Sequence, residues 1–493
     1  MGRPLRVLFA AAEAAPFAKV GGLADVAGAL PKALAGLGHD VRVVVPRYGA
    51  IDERRFPLTQ RLDHVPVPMG DGTEPAAVLE GRLAERVPVY FVDNPRYFFR
   101  EQVYGYPDDG ERFVFYARAA LAMLPFLNWQ PDVIHANDWH TGLIPVWLKT
   151  VLRDEPSVRS SATVFTIHNL AYQGVFSSRL LRTAGLERVG PPVRAGVGEQ
   201  HGVVNLMALG IRFADVITTV SETYAREIVT PEYGERLDAL LRERQDRLYG
   251  ILNGIDVETF DPTTDPHLAA NFDQHRLDRR RQNKVAVQRE VGLPEAPEVP
   301  LMGMVSRLAD QKGFDILGDV VDHILDLGVQ FVLLGTGEQH YHDLFRKIAA
   351  AYPRQAAVSL TFDLALAQRI YGGCDLFLMP SRYEPCGLGQ MIAMRYGAVP
   401  VVRKTGGLAD TVQDWDPAAG RGTGFVFERY DRWALFTAVV RALETLRYPD
   451  VWRRIQRNGM SCDFSWTRSA QQYERVYHEA LAARRQGLGQ SVG

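Results

Sequence analysis

Two short segments place charged side chains where an apolar run gives way to a helix-like stretch. Ser306–Phe314 reads SRLADQKGF and follows Leu301–Val305, so Arg307 and Lys312 share one strand-to-helix loop beside Gly313. A guanidinium grips a diphosphate bidentately and an ammonium adds a point charge, so this pair suits a diphosphate ligand. Pro380–Gln390 reads PSRYEPCGLGQ and sets Glu384 just ahead of a Pro-Cys-Gly turn into Met391–Tyr396. A carboxylate at a strand end accepts hydrogen bonds, as sugar hydroxyls require. The N–H groups of Gly387, Leu388 and Gly389 open the helix and suit an anion.

The pentapeptide GGLAD occurs twice, at Gly21–Asp25 and Gly406–Asp410, each time between an apolar run and a helix-like stretch. Paired glycines allow positive φ and a sharp turn, and the helix start offers N–H groups and partial positive charge. Two such elements, one in each half, could close on one charged ligand. HANDWHTGL and FTIHNLAYQG also cap strands, which brings Asp138, His140 and His168 to one strand-end surface. None of the usual metal-ligand spacings occurs, so no metal is expected. Asp414-Trp415-Asp416 resembles a carboxylate metal motif but falls in a polar loop and reads as surface. No GxGxxG follows the first strand, and Gly335-Thr336-Gly337-Glu338 lacks a third glycine, which disfavours a dinucleotide-dependent oxidoreductase.

The elements that must position these groups repeat one rhythm. Strands are expected at Leu5–Phe9, Val41–Val45, Val87–Val92, Val133–His135, Thr163–Ile167 and Val216–Val220, with helices at Gly22–Leu37, Arg112–Leu124, Thr141–Val151 and Glu222–Ile228. The second half has strands at Leu301–Val305, Phe331–Leu334, Val358–Phe362, Leu376–Met379, Val399–Val402 and Gly424–Phe427, and a helix-like end at Ser469–Arg484. Near-continuously apolar strands alternating with helices make parallel sheets covered on both faces. The Asp/Asn/Pro/Gly-rich stretch from Asn253 marks a boundary near residue 258. The expected division is 1–257, 258–470 and a closing helix and tail, 471–493, able to pack back on the first domain. A chain of 493 residues exceeds one core. Ligands of doubly wound domains lie at the C-terminal ends of the strands.

Apolar residues make up 46 % and charged residues 23 % of the chain, and the net charge is −2, which implies no global attraction to nucleic acid or membrane. The three cysteines, Cys374, Cys386 and Cys462, form neither a disulfide framework nor a zinc motif and fit a cytoplasmic protein. Glu13 follows a short apolar run, so the N-terminus reads as a first strand, not a signal peptide.

Eight segments together resemble the bacterial glycogen synthases and plant starch synthases, in the family's order. They are KVGGLADV, NDWHTG, TIHNLAYQG, TVSETYAREI, LNGID, SRLADQKG, SRYEPCGLGQ and KTGGLADTV, spanning residues 19 to 412. The resemblance implies the α/β GT-B fold, two Rossmann-like doubly wound domains facing across a cleft. It implies retaining transfer of glucose from ADP-glucose to the non-reducing end of an α-1,4-glucan such as glycogen, with no cofactor. Lys19, Gly21 and Gly22 would contact the donor, Arg307 and Lys312 would neutralise its diphosphate, and Glu384 would hold glucose hydroxyls. Asp138 and His168 would line the sugar site. Cys386, Gly387, Leu388 and Gly389 would also bind the donor, with Phe362 ending its strand beside the base. Three positions depart from the family pattern: Gly389 replaces a threonine, Ala208 a lysine, and Phe362 stands where an aromatic, often tyrosine, is expected.

Overall fold

The computed structural model describes residues 3–84, 86–187, 189, 199–200 and 202–489. The chain divides into two compact units. The first comprises Met1–Val220, Ala225–Ile251 and Trp466–Gly493; the second comprises Ser221–Tyr224 and Leu252–Ser465. Apart from the short Ser221–Tyr224 segment, the divisions fall at 251/252 and 465/466, where the sequence reading puts 257/258 and 470/471.

The first unit is built on a nine-stranded sheet. Its strands are β1 (Arg6–Ala10), β2 (Asp40–Pro46), β3 (Thr59–Met69), β4 (Gly72–Leu83), β5 (Val87–Asp93), β6 (Val133–Asn137), β7 (Ala162–Ile167), β11 (Val216–Thr219) and β12 (Leu248–Gly250). Their spatial order is β12-β11-β7-β6-β1-β2-β5-β4-β3. Strands β12 through β5 pair in parallel. All five residues of β6 are buried, as a sheet covered on both faces requires. Order reverses between β1 and β6, so the crevice at their C-terminal ends is the switch point where doubly wound folds bind ligands. Three short strands, β8 (Val175–Ser177), β9 (Glu199–Gln200) and β10 (Val203–Asn205), form a separate antiparallel sheet.

The antiparallel hairpin β3–β4 was not expected from sequence. β3 is an edge strand, mostly exposed, with Pro66 and Pro68 inside it; only Val65 and Val67 are buried. Proline is tolerated at an edge because one side of the ladder needs no donor. The hydrophobic signal that marks a buried strand is consequently missing.

Helix Gly22–Gly36 buries Leu23, Val26, Ala27, Leu30 and Leu34, a helical-period stripe. The last helix, Trp466–Gly489, also belongs to this unit. Its Tyr473, Tyr477 and Ala480 are fully buried. The Tyr477 hydroxyl lies 2.9 Å from His135 Nδ1 on β6, and Arg484 donates to the carbonyls of Leu148 and Arg159.

The second unit repeats the plan with six parallel strands: β13 (Leu301–Val305), β14 (Gln330–Leu334), β15 (Ala356–Ser359), β16 (Leu376–Met379), β17 (Val399–Arg403) and β18 (Phe425–Phe427). The order is β15-β14-β13-β16-β17-β18, with its reversal between β13 and β16. Met302, Met304, Phe331, Leu333, Leu376, Leu378 and Val399 anchor a core that Phe314, Phe345, Leu435 and Ile455 cover from the helices.

Candidate active site

In the second unit the reversal explains why residues far apart in sequence meet. β13 runs into the loop of Arg307 and Lys312, and its neighbour β16 runs into the loop of Glu384. The loops touch backbone to backbone: a Cβ on Gly313 (φ +75°) would lie 2.0 Å from the Pro380 carbonyl oxygen, and Arg382 N–H donates to Gln311 O. Lys312 Nζ thereby reaches Glu384 Oε2 at 2.6 Å, and Ser381 Oγ donates to the same oxygen at 3.0 Å. Glu384 is 4 % exposed. The sequence reading gives Glu384 to sugar hydroxyls and Lys312 to a diphosphate; the structure pairs these two side chains with each other. Arg307 is exposed on the same loop.

The glycines here act as spacers. Cβ atoms on Gly335 and Gly337 would fall 1.9 Å and 2.1 Å from the carbonyl oxygens of Ser306 and Leu308. The Gly-Thr-Gly run therefore presses against the backbone that carries Arg307. The second GGLAD copy does the same for Glu384. A Cβ on Gly406 would lie 1.9 Å from Glu384 O, one on Gly407 2.0 Å from Cys386 O, and Gly407 N–H donates to Glu384 O.

Beyond Glu384, Gly387 (φ +70°) turns the chain and Leu388 caps helix Gly389–Arg395. Gln390 Nε2 donates to the Cys386 and Gly387 carbonyls and to Thr411 Oγ1. Burial pushes the Cys386 thiol up to about 12. A Cβ on Gly389 would lie 3.1 Å from the Phe377 ring, tighter than an ordinary contact. Phe362 does not end a strand: β15 stops at Ser359, and Phe362 is 77 % exposed in the following loop, just before the Asp363 cap of helix Leu364–Gly373. Burial already falls away along β15, from buried Ala356 and Ala357 to half-buried Val358 and Ser359, and Thr361 beside Phe362 is exposed.

In the first unit, Asp138 directly follows β6 with φ 56° and ψ −179°, a conformation a residue with a side chain rarely holds. Its Oδ1 accepts from His168 N–H at 2.8 Å, which ties it to the end of β7. Burial raises its carboxyl to about 7. His168 Nε2 faces Asn137 Oδ1 at 2.9 Å while Asn137 Nδ2 donates to the Ala10 carbonyl, so the imidazole donates from Nε2 and keeps Nδ1 as an acceptor. Burial lowers His168 to about 3, which keeps the ring neutral. His140 is 7 % exposed and stacks on Trp139 at 3.9 Å and on Tyr104 at 5.0 Å.

The first GGLAD copy is built differently from the second. Gly21 is extended (φ −137°, ψ −168°), so positive φ, expected at both copies, occurs only at Gly406 (φ +43°). A Cβ on Gly22 would meet nothing within 4 Å. Lys19 Nζ pairs with Asp25 Oδ1 at 2.6 Å, whereas the matching Asp410 accepts from Thr223. Glu13, which the sequence marks only as the end of a short apolar run, accepts from the Val20 and Gly21 N–H groups. Ala208 is fully buried in helix Leu206–Phe213.

Among the described residues, Asp310, Glu338 and His340 bring possible metal-ligand atoms within 4.8 Å of one another, all exposed. Asp414 accepts from Val426 N–H and Arg441, and Asp416 from Ala418 and Ala419, as a surface loop does. No helix among the described residues is long and apolar enough to cross a membrane.

Residues 6–243 match the model of the starch synthase catalytic domain, and residues 289–459 that of group 1 glycosyl transferases. The chain is 51 % identical to a glycogen synthase of Moorella thermoacetica, covering 99 % of both chains. It is 48 % identical to one of Thermotoga maritima, covering 97 % of this chain and 99 % of the relative. Among solved structures, the catalytic domain of starch synthase IV from Arabidopsis thaliana, bound to ADP and acarbose, superposes with TM-score 0.91 at 37 % identity, over 97 % of this chain and 100 % of that one. A sucrose-phosphate synthase from Thermosynechococcus elongatus shares the fold at TM-score 0.61 and 17 % identity, over 97 % of this chain and 100 % of that one. With two doubly wound units, strand-end loops carrying the family's motifs, and this similarity along its whole length, the chain belongs to the glycogen and starch synthase family of GT-B glycosyltransferases.

Proposed function

We propose that the protein elongates glycogen, transferring glucose from ADP-glucose to the non-reducing end of an α-1,4-glucan with retention of configuration. The observation that carries this reading is full-length similarity to glycogen synthases joined to the Lys312–Glu384 pair at the β13/β16 switch point. The starch synthase relative bound to ADP supports ADP as the leaving group. Three free cysteines support a cytoplasmic setting.

In the proposed step the bond from the glucose anomeric carbon to the phosphate oxygen breaks, and ADP leaves with the electron pair. The acceptor hydroxyl attacks from the same face, and its proton passes to the departing phosphate. Arg307 and Lys312 stabilise the growing negative charge electrostatically, so the reading calls for no divalent ion and no cofactor. Lys312 is held in place by Glu384, whose carboxylate also orients the glucose. Neutral His168 offers Nδ1 to a sugar hydroxyl. By the family resemblance, Asp138 serves the sugar, and Lys19, Gly21, Gly22, Cys386, Gly387, Leu388, Gly389 and Phe362 serve the donor.

The test is radiolabel incorporation into glycogen from ADP-glucose and UDP-glucose side by side, with and without EDTA. The expected result is higher kcat/KM with ADP-glucose, unchanged by EDTA. Equal or better use of UDP-glucose refutes the donor, and loss in EDTA restored by magnesium refutes metal independence.

A further inference from the structure

The segment between β1 and the first helix is anchored on both sides and bare in the middle. At one side Phe17 packs edge-on against Phe56 and Phe91, each at 5.1 Å. The Ala14 carbonyl accepts from Phe17 and Ala18, and Ala15 N–H donates to Ala24 O. At the other side stands Glu13, 3 % exposed, whose Oε2 accepts from Val20 N–H and, at 3.1 Å, from Gly21 N–H. Between the anchors Lys19 and Val20 face outward, Val20 at 58 % exposure.

A buried carboxylate is an expensive way to hold a loop. Burial raises the Glu13 carboxyl, and only the two N–H groups and the Tyr104 hydroxyl offset this. The same Tyr104 stacks on His140 next to Trp139 and Asp138. Glu13 therefore ties the Lys19 loop to the wall that carries Asp138. It also fills the place at the helix start that the GGLAD sequence reserved for an anion, so the first copy presents an ammonium instead of a phosphate nest.

We propose that Glu13 is a positioning residue for the transfer: its carboxylate, by accepting from Val20 and Gly21, fixes the loop so that Lys19 meets the donor. This rests on the reading of Lys19 as a donor contact. Misplacing a binding group by about 1 Å can cost up to 100-fold in rate, so Glu13→Ala is expected to raise the KM for ADP-glucose about 10-fold while the KM for glucan stays within about two-fold. Glu13→Asp, too short to reach, should behave like Glu13→Ala. Glu13→Gln, which keeps an accepting oxygen, should restore the donor KM to within about three-fold of the parent.

The experiment measures both KM values for Glu13→Ala, Glu13→Asp, Glu13→Gln, Lys19→Ala and Glu13→Ala/Lys19→Ala, and hydrogen exchange in the peptide containing Val20 and Gly21. Expected results are faster exchange in Glu13→Ala and Glu13→Asp, and little further loss when Glu13→Ala is added to Lys19→Ala. An equal Glu13→Ala effect in both backgrounds, unchanged exchange, or Glu13→Gln as impaired as Glu13→Ala overturns the proposal. A near-normal Lys19→Ala enzyme overturns it too, by removing the donor-contact reading. Should Glu13→Ala not fold, Glu13→Asp takes its place in the cycle.

Discussion

Replacing Lys312 by methionine is expected to destabilise the second unit through the partner left behind. Lys312 Nζ and Glu384 Oε2 are 2.6 Å apart, with side chains 17 % and 6 % exposed. Removing the ammonium leaves the carboxylate buried beside the Ser381 hydroxyl, which donates to it. Breaking a buried ion pair from one side costs about 3–5 kcal/mol. The low end, about 3 kcal/mol, applies because Lys312 keeps some contact with water, and for a unit of this size that lowers Tm by roughly 6–12 °C. Glu384→Gln should cost less, about 1–2 kcal/mol, because the ammonium it strands can still turn toward solvent and the amide keeps an oxygen for Ser381. The double variant, with no stranded charge, should lie about 2 kcal/mol above the sum of the single losses. Urea unfolding of the four proteins without ligand gives the cycle, and circular dichroism of the folded baselines checks that each retains its structure. Additivity to within about 0.5 kcal/mol would show that the pair is not coupled and would refute the reasoning.

The two GGLAD copies should respond oppositely to alanine. Gly407→Ala, whose Cβ would overlap Cys386 O, should lower stability by about 1–3 kcal/mol, whereas Gly22→Ala should melt within a degree or two of the parent; equal melting temperatures for the two variants would contradict this. Buried Cys386 and Cys374, both pushed up to about 12 by desolvation, should resist iodoacetamide in the folded protein at pH 8 while half-buried Cys462 reacts first, as peptide mass spectrometry would show. Asp138, raised from 3.8 to about 7, favours the folded state when protonated, so its contribution is present at low pH and is lost as pH rises through about 7. At 1.36 kcal/mol per unit this is on the order of 4 kcal/mol. Asp138→Asn should gain on the parent between pH 5 and pH 8 in urea unfolding, and a constant gap between the two proteins would count against the shift.

What could be read from sequence follows from burial. Strands enclosed on both faces, such as β6 and β14, announce themselves as apolar runs, and the strand-end loops holding Arg307, Lys312, Glu384 and Asp138 follow from them. The β3–β4 hairpin stayed hidden because an exposed edge needs no hydrophobic pattern. Phe362 was assigned to a strand that ends at Ser359 because an aromatic residue adjoining an apolar run looks like its continuation. Glu13 is visible in the sequence as a break in an apolar run, but its hold on the Lys19 loop is not, because its partners are backbone N–H groups, which a sequence does not display. The identical GGLAD copies differ for the same reason: what each glycine meets depends on chain brought in from elsewhere, Glu384 and Cys386 for one and open space beside Gly22 for the other.

The helix Trp466–Gly489 completes the first unit, yet every residue of the second unit is translated before it. During synthesis the β6 face that Tyr473 and Tyr477 cover must wait, with His135 lacking its tyrosine partner, until this last helix has been made. The second unit has no such dependence, since all its strands lie between Leu301 and Phe427. The half of the molecule made first is thus the half finished last. A ribosome that stalls near residue 465 would release a chain with a complete second unit and a first unit open along its sheet, a ready substrate for chaperones and proteases.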